Sequence, residues 1–327
     1  MNTVQETEVA TSVDSIFAKD VDQGLSASPK TLPSKYFYDE IGDKIFQEIM
    51  AMPEYYLTRS EMNIFQEQKE GLLNAFCDGQ PRFRLLELGA GDGLKTRVLL
   101  EHFASRDVDF TFSPVDISGH VLNILEERVK ADLPDLHLNP LVGDYFDVLS
   151  KLDYEEGVKN VVLFLGSNIG NFNNERAVSF LSKLSSYLNP GDLILIGFDL
   201  RKDPDKILDA YHDKAGITRR FNLNLLHRIN KELGGNIEVD SFQHYPIYNP
   251  ASGECRSYLI NTEYQQFTIE ALGKTYELEA WEPIYTEVSK KYLESEITQL
   301  AVKSGYKRIN DFYDKDRYFV DSLWEVV

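Results

Sequence analysis

The feature of this sequence with the clearest chemical potential is a glycine-rich turn that follows an apolar run and precedes a helical one. The stretch Leu85–Thr96 reads LLELGAGDGLKT, with glycine at positions 89, 91 and 93. Alternating glycines let the backbone approach a ligand without obstruction by Cβ atoms, and the next helix presents unpaired N–H groups and the positive end of its dipole. The turn therefore predicts a site for a carboxylate or a nucleotide.

The spacing of the glycines distinguishes between cofactors. A dinucleotide fingerprint requires G-x-G-x-x-G, but the third position holds Leu94 when counting starts at Gly89, and Thr96 when it starts at Gly91. The spacing therefore disfavours NAD. The form E-x-G-x-G, which begins at Glu87, resembles the first motif of class I S-adenosylmethionine (SAM) methyltransferases. That resemblance implies a loop that holds the methionine half of SAM.

Acidic positions further along the chain support a nucleoside ligand. Asp116 ends the next apolar run, about 20 residues beyond the glycines, where a ribose-binding acid is expected. Asp144 and Tyr145 follow a third apolar run, and an acid beside an aromatic ring suits an adenine whose amino group donates to the acid. Other roles for the same residues are a tight turn for the glycines, a helix cap for Asp116 and a solvated turn for Asp144.

These positions require a scaffold that brings the ends of several strands together. A helix with Ser60 as its N-cap leads into the first strand. Strand-like runs then recur at 84–88, 109–115, 136–142, 161–165 and 193–198, with helical patterns between them. The alternation predicts an α/β fold with a parallel, doubly wound, Rossmann-like sheet. Because ligands bind outside the carboxyl ends of such strands, Gly89, Asp116, Asp144 and Gly166 are expected along one edge.

The pattern changes near Asp199. A helical stretch ends at Gly234, and runs at 239–248, 256–262, 266–269 and 274–280 are typical of antiparallel strands. A helix over Leu293–Ser304 and strands near 308–313 and 318–326 are predicted to return to the main sheet. We expect a SAM-binding domain at 61–200, an inserted α+β substrate-binding domain at 201–286 to which residues 1–60 contribute, and a C-terminal return at 287–327.

Composition and charge restrict the class of protein. The 327 residues are 43% hydrophobic and carry a formal net charge of −19, which disfavours nucleic acid because its phosphates would be repelled. The two cysteines and six histidines show no metal-ligand spacing, so no metal is expected. No run has the length and apolar character of a signal peptide or a bilayer span. We therefore expect a cytoplasmic enzyme with a small-molecule substrate and no nucleic-acid or membrane partner.

Several blocks of sequence resemble the histidine N-alpha-methyltransferases of the ergothioneine pathway. The resemblance spans nearly the whole chain from about residue 30, and so many matching blocks do not arise readily by chance. The blocks are Leu32–Asp39, Pro53–Glu61, Phe164–Asn171, Phe198–Asp203 followed by Tyr211, Phe221 with Asn222, Phe242–His244, and Thr286–Lys291.

The resemblance implies a substrate site of neutral donors and one acid. Asn171 and Tyr211 would hold the α-carboxylate of the amino acid, with Tyr55 beside them. Glu287 and Ser289 would bind the imidazole, since a carboxylate accepts from a ring N–H and a hydroxyl serves the other nitrogen. Positions 287 and 289 share one face of a strand. Without the resemblance, Tyr55 and Tyr211 also fit tyrosines of the core, and Asn171 fits a helix cap. Positions 287 and 289 also fit an exposed edge strand.

The resemblance also implies the cofactor contacts. Without the resemblance, Lys95 would be interpreted as a solvated lysine in the first turn of a helix. The candidate catalytic residues are Tyr38, Asn171 and Tyr211, because methyl transfer to an amine mainly requires correct orientation of the nitrogen against the sulfonium methyl. The implied cofactor residues are Tyr38 and Lys95 at the methionine carboxylate, Gly89 in the loop, Asp116 at the ribose, and Asp144 with Tyr145 at the adenine.

The implied function is successive N-α methylation of L-histidine to its trimethylammonium betaine, hercynine, which is the first step of ergothioneine biosynthesis. A monomer is expected. Ser257 stands where family members carry a methionine in the side-chain pocket, and Asn168 replaces a threonine. The alternatives are an N-methyltransferase for another amino acid, such as a tryptophan derivative, and a non-catalytic SAM-binding regulatory module. Retention of Glu287 favours histidine, and the presence of Asn171 and Tyr211 favours catalysis.

Overall fold

The computed structural model describes residues 5–77, 82–106, 108–152, 155 and 157–327, with side chains from Ile16 onward. The chain divides into two compact units. Unit 1 joins the residues up to Tyr56 to Lys202–Ser289, and unit 2 joins Leu57–Arg201 to Lys290–Val327. The sequence places divisions after residues 60, 200 and 286, whereas the units change after Tyr56, Arg201 and Ser289.

The helices and strands are numbered in chain order. The helices are α1 Gln5–Ser26, α2 Glu40–Ala51, α3 Leu57–Cys77, α4 Thr96–Ala104, α5 Gly119–Asp132, α6 Tyr145–Leu149, α7 Asn174–Ser185, α8 Pro204–Asp209, α9 Ile217–Leu233 and α10 Glu294–Lys303. The strands are β1 Arg82–Leu88, β2 Asp109–Asp116, β3 His137–Leu138, β4 Leu141–Val142, β5 Lys159–Phe164, β6 Leu193–Asp199, β7 Phe242–Asn249, β8 Glu254–Asn261, β9 Gln265–Ile269, β10 Lys274–Leu278, β11 Pro283–Lys290, β12 Tyr306–Tyr313 and β13 Phe319–Val326.

Unit 2 is built around a sheet with the strand order β12-β13-β6-β5-β1-β2-β3, and β4 also pairs with β2. β1 pairs in parallel with β2 and β5, and β5 pairs in parallel with β6. β13 returns antiparallel to β6, and β12 pairs antiparallel with β13. The predicted doubly wound parallel sheet and the predicted return of the C-terminal strands are therefore confirmed.

Two apolar cores cover the two faces of this sheet. Val161 and Leu163 of β5 face a core that includes residues of α3, α4 and α5, whereas Val162 and Phe164 face a core that includes residues of α7 and α10. Successive side chains of a strand point to opposite faces. A strand that is covered on both faces must therefore be apolar throughout, and the continuous apolar runs of the sequence have this cause.

Two details differ from the sequence-based expectation. The run 136–142 is two short strands, β3 and β4, because the intervening Pro140 has no N–H for the ladder. The prediction of Ser60 as a helix N-cap is wrong, because α3 begins at Leu57 and Ser60 is buried within it. The Ser60 hydroxyl donates instead to Asp314 Oδ2 at 3.2 Å.

Unit 1 contains a three-stranded sheet, β11-β8-β7, and the hairpin β9-β10. β7 with β8 and β9 with β10 are antiparallel, as predicted. Residues 239–241 of the first predicted strand form a 3₁₀ turn instead. One apolar core combines residues of α1, α2 and α9 with these strands. Among the described residues of the whole chain, no helix has the length and apolar character needed to cross a membrane.

A buried ion pair lies where the chain leaves unit 2 and enters it again. Lys291 Nζ is 2.8 Å from Asp199 Oδ2, and both side chains are fully buried. The Tyr292 N–H donates to Asp199 O at 2.9 Å, and the Arg201 N–H donates to Tyr292 O at 3.0 Å. The backbone bonds and the ion pair together hold the end of β6 against the segment that follows β11.

We expect Lys291→Met to lower the free energy of unfolding by about 3 kcal/mol, because it removes the ammonium that compensates the buried Asp199 carboxylate. Urea unfolding measures the change. Lys130→Met is the matched control, since Lys130 forms an exposed pair with Glu126 and such pairs contribute about 0.5 kcal/mol or less. Equal effects of the two substitutions would contradict the importance of the buried pair.

Candidate active site

The glycine turn after β1 has the geometry of a ligand-binding cradle. Gly89 and Gly91 have φ of +72° and +55°, a region that favours glycine. A Cβ atom at Gly89 would lie 2.7 Å from the hydroxyl oxygen of Tyr145, whereas a Cβ at Gly91 would meet no atom within 4 Å. The backbone at Gly91 therefore borders open space, and the turn fits the close approach of a ligand.

Asp116 at the end of β2 lies against this turn. Its Oδ2 accepts from the Gly91 N–H at 3.3 Å, and its Oδ1 accepts from the Ser118 N–H at 2.9 Å. The alternative role of Asp116 as a helix cap is wrong, because Ser118 caps α5 by accepting from the Val121 N–H. A carboxylate has about four acceptor positions, so Asp116 keeps capacity for ligand hydroxyls.

Asp144 and Tyr145 lie at the start of α6. Asp144 is exposed and caps this helix, with Oδ1 accepting from the Phe146 N–H at 2.9 Å. Burial raises the pKa of Tyr145 to about 12, and the charges of Asp116 and Asp144 contribute. Tyr145 is therefore a neutral phenol at physiological pH. Through these contacts the structure brings Gly89, Asp116, Asp144 and Tyr145 into one cluster in unit 2.

Lys95 precedes α4 and pairs with an acid that the sequence analysis missed. Its Nζ forms an ion pair with Oε2 of Glu61, whose side chain is fully buried. The alternative of a solvated lysine is wrong. Burial opposes the charge of Lys95, but Glu61 outweighs it, and the pKa of Lys95 is raised. A signal was present, because Glu61 lies three positions before Ile64 on the apolar face of α3, where an acid needs a specific partner.

Asn171 ends the 3₁₀ turn Asn168–Asn171, which follows β5 in unit 2. The alternative role of Asn171 as a helix cap is wrong, because Asn173 caps α7 by accepting from the Arg176 N–H at 2.9 Å. The Tyr292 hydroxyl donates to Ile169 O at 3.2 Å and helps to hold the turn. The half-buried Asn171 thus lies in a turn that is held by a hydrogen bond to the backbone of Ile169.

Tyr38 belongs to unit 1, in contrast to the other proposed cofactor residues. Its ring packs against those of Phe46 and Phe221, with centroids 5.4 Å away in both cases. Arg228 of α9 donates to the carbonyl oxygens of Tyr36 and Tyr38. Although 43% of the Tyr38 side chain is exposed, burial around its hydroxyl raises its pKa well above the usual value, and the charge of Glu287 adds to this.

The proposed substrate residues of unit 1 are connected. The Tyr211 hydroxyl and Ser289 Oγ are hydrogen-bonded at 2.8 Å. The rings of Tyr211 and Tyr55 lie 6.3 Å apart in an edge arrangement. Glu287 and Ser289 lie on β11, which confirms the predicted strand, and Glu287 is close enough to Tyr38 to affect its pKa. Tyr38, Tyr55, Tyr211, Glu287 and Ser289 therefore form one polar and aromatic group.

Ser257, which the resemblance singled out, is buried on β8. Its Oγ is hydrogen-bonded to Nε2 of His244 at 3.3 Å. Burial lowers the pKa of His244 to about 4, so the imidazole is neutral. The sequence pattern points to Ser257 but indicates no role for His244. A hydroxyl paired with a neutral imidazole thus lies at this buried position of β8.

Comparison with known proteins identifies the family. Residues 17–326 match the model of the histidine-specific, SAM-dependent methyltransferases. The chain is 34% identical over 305 residues to a histidine N-alpha-methyltransferase of Mycobacterium tuberculosis, with 93% of each chain covered. The chain belongs to the histidine-specific, SAM-dependent methyltransferase family. It is therefore an enzyme that uses SAM.

Other relatives agree with the methyltransferase assignment. A histidine N-alpha-methyltransferase of Mycolicibacterium smegmatis is 33% identical over 296 residues, with 90% of each chain covered. Ergothioneine biosynthesis protein 1 of Schizosaccharomyces pombe is 29% identical over 287 residues, which cover 86% of this chain and 37% of that protein. The family match extends through both units, so unit 1 is as much a part of the methyltransferase as unit 2.

We expect Gly89→Ala to weaken SAM binding by about tenfold or more, because the added methyl would collide with the Tyr145 hydroxyl and strain a left-handed backbone. Calorimetric titration with SAM measures the change. Gly191→Ala is the matched control, since Gly191 has a φ of +91° and a Cβ there meets no atom within 4 Å. Equal weakening by both substitutions would contradict a specific role of the contact between Gly89 and Tyr145.

Proposed function

We propose that this methyltransferase converts L-histidine, by successive methylation of its α-nitrogen, to hercynine, the first step of ergothioneine biosynthesis. The observation that carries the proposal is the pairing of Tyr211 with Ser289 in the same group as Glu287. This group offers hydroxyls for a carboxylate and an acid for an imidazole. The names of the bacterial relatives support the same substrate. We assign recognition of the amino acid mainly to unit 1 and recognition of SAM mainly to unit 2.

The α-carboxylate of histidine is assigned to Asn171 and Tyr211, with Tyr55 beside them. The amide and hydroxyl groups donate hydrogen bonds without adding a charge near the amine. This matters because only a neutral amine has the lone pair that attacks. Orientation of that lone pair is the main contribution that the protein makes to such a displacement. SAM, when bound, supplies a methyl group activated by a positively charged sulfur.

The imidazole is assigned to Glu287 and Ser289. The Glu287 carboxylate accepts from one ring N–H, and the Ser289 hydroxyl serves the other nitrogen. A hydroxyl has one donor and two acceptor positions, so Ser289 can keep its bond to Tyr211 at the same time. The bond between the two hydroxyls therefore links the imidazole contact to the carboxylate contact.

The cofactor contacts follow from the chemistry of each group. Asp116 is assigned to the ribose hydroxyls and Asp144 with Tyr145 to the adenine, above the turn at Gly89. Tyr38 and Lys95 are assigned to the methionine carboxylate. The raised pKa of Tyr38 keeps its hydroxyl protonated, which a carboxylate requires of a donor. We count Tyr38, Asn171 and Tyr211 as the catalytic residues because they orient the reacting groups.

Three finer features remain part of the proposal. We propose that the enzyme acts in the cytoplasm, which suits its free cysteines, Cys77 and Cys255. We also propose that it acts as a monomer, and light scattering of the purified protein tests this. The third feature is trimethylation, which ends the reaction because a quaternary nitrogen has no lone pair.

We expect purified protein incubated with SAM to yield α-N-trimethylhistidine when L-histidine is supplied, and no methylated product from the other proteinogenic amino acids. Mass spectrometry of separate reactions measures this, with fragmentation to locate the methyl groups on the α-nitrogen. Preferential methylation of tryptophan would overturn the substrate proposal and direct attention to Ser257. Binding of SAM without any product would favour the non-catalytic alternative.

We expect Glu287→Ala and Asp116→Ala to affect different ligands. Glu287→Ala removes a contact to the imidazole, so the KM for histidine should rise by about tenfold or more while the Kd for SAM changes less than about twofold. Asp116→Ala should raise the Kd for SAM by about tenfold or more and change the KM for histidine less than Glu287→Ala does. Calorimetry with SAM and initial rates at saturating SAM separate the effects. Equal losses for both ligands in either variant would refute that residue's assignment.

A further inference from the structure

A buried carboxylate holds two groups next to the cofactor residues of unit 2. Glu61 Oε1 accepts from the Gly166 N–H at 2.7 Å, and Glu61 Oε2 pairs with Lys95 Nζ. Gly166 follows β5, and a Cβ there would lie 3.6 Å from Lys95 Nζ. Glu61 thus connects the end of a central strand to the lysine that we assign to the methionine carboxylate.

The space for Glu61 exists because position 197 has no side chain. A Cβ on Gly197, in β6, would lie 2.5 Å from Glu61 Oε1. The register partner of Gly197 on β13 is Asp321. Asp321 is fully buried, and neither of its carboxyl oxygens accepts a hydrogen bond from any described residue. Two carboxyl groups therefore lie in one closed space.

Electrostatics decide which carboxyl carries a proton. Burial raises the pKa of Asp321 well above its usual value, and the charges of Glu61 and Asp314 raise it further, whereas Lys95 opposes this. Glu61 faces Asp321 from α3, Asp314 from the loop before β13, and Lys95 from the start of α4. Lys95 compensates Glu61 directly, so the proton belongs on Asp321. An ionised Asp321 would be a buried charge without a donor, which is strongly unfavourable.

We propose that Asp321 keeps its proton in the folded protein and donates it to Glu61, and that Glu61, held in this way, is a positioning residue that aims Lys95 at the cofactor. The proposal rests on the assignment of Lys95 under the proposed function. The long lysine side chain has many rotamers, and an anion fixed by Gly166 and Asp321 limits them. The cofactor then meets an ammonium that is already in place.

The first test is Glu61→Gln. Glutamine keeps the shape and an acceptor for the Gly166 N–H, but it removes the anion that holds Lys95. We expect the Kd for SAM to rise about tenfold, with the KM for histidine at saturating SAM changing less than about twofold. Lys95→Ala should raise the Kd for SAM by a similar factor. The double variant should be no weaker than Lys95→Ala alone, because Glu61 acts through Lys95.

Asp192→Asn controls for the replacement of any buried carboxyl. Asp192 precedes β6, at the other end of that strand from Asp199, and accepts from the N–H groups of Asn160 and Asn189. We expect its Kd for SAM to match that of the wild type. Unchanged SAM affinity in Glu61→Gln would overturn the positioning role. Loss of SAM affinity in Glu61→Gln and Asp192→Asn alike would overturn it as well.

The proton on Asp321 has its own test, which needs no ligand. Infrared difference spectra of wild type against Asp321→Asn should show the carbonyl band of a protonated carboxylic acid in the wild type at neutral pH. Subtraction of this variant cancels the band of Glu87, whose pKa burial raises to about 7. Absence of the band would overturn the proton assignment.

Stability against pH gives a second measure of the same proton. A carboxyl whose folded pKa is raised makes the folded state lose stability as pH rises, from about pH 4 up to the raised pKa. In Asp321→Asn, the midpoint of unfolding should therefore fall less steeply than in the wild type as pH rises over this range. An unchanged slope would contradict the proposal. Methylation of histidine by the wild type, measured in parallel, shows whether the proposed function holds independently of these results.

Discussion

The parallel pairing of β1 with β2 and β5 is the constraint on which the cofactor residues depend. Parallel strands all end at one edge of a sheet, so residues that are far apart in sequence meet there. Gly89 follows β1, Asp116 ends β2 and Gly166 follows β5. Asp144 joins them because β4 pairs in parallel with β2. The apolar side chains that keep these strands buried therefore also determine which polar residues can share a ligand.

Compensation of buried charge is the second organising principle. The chain carries 53 acidic and 34 basic residues, and most acids remain in water, where they need no partner. Two of the buried ones have a cationic partner: Asp199 has Lys291, and Glu61 has Lys95 together with the Gly166 N–H. Burying a carboxylate costs free energy unless a donor or a cation replaces its water. Each such acid thus couples two segments of unit 2, and its removal would disturb both.

In unit 1, α9 organises the segment that carries Tyr38. Arg228 donates to the carbonyl oxygens on either side of Phe37, and Asn224 Nδ2 donates to Asp39 Oδ1 at 2.8 Å. Asp213 holds the start of α9 by accepting from the N–H groups of Ile217 and Thr218. The same helix therefore orients the turn at Tyr38 and is itself anchored close to Tyr211. Residues separated by nearly two hundred positions become neighbours through one helix.

The sequence by itself determined the order of the main strands and the return of the C-terminal strands to the sheet. Continuous apolar runs specify strands that are covered on both faces, and glycines at 89 and 91 specify a turn with positive φ, because both properties are local. The family blocks also pointed to Glu287, Ser289 and Tyr211. Only the tertiary structure decided what each polar side chain touches. Asp321 and His244 gave no clear signal in the sequence, and the place of Glu61 on an apolar helix face indicated only that it needs a partner. The identity of a buried partner depends on the packing of distant strands and helices. The same dependence makes Ser118 and Asn173, and not Asp116 and Asn171, the caps of their helices.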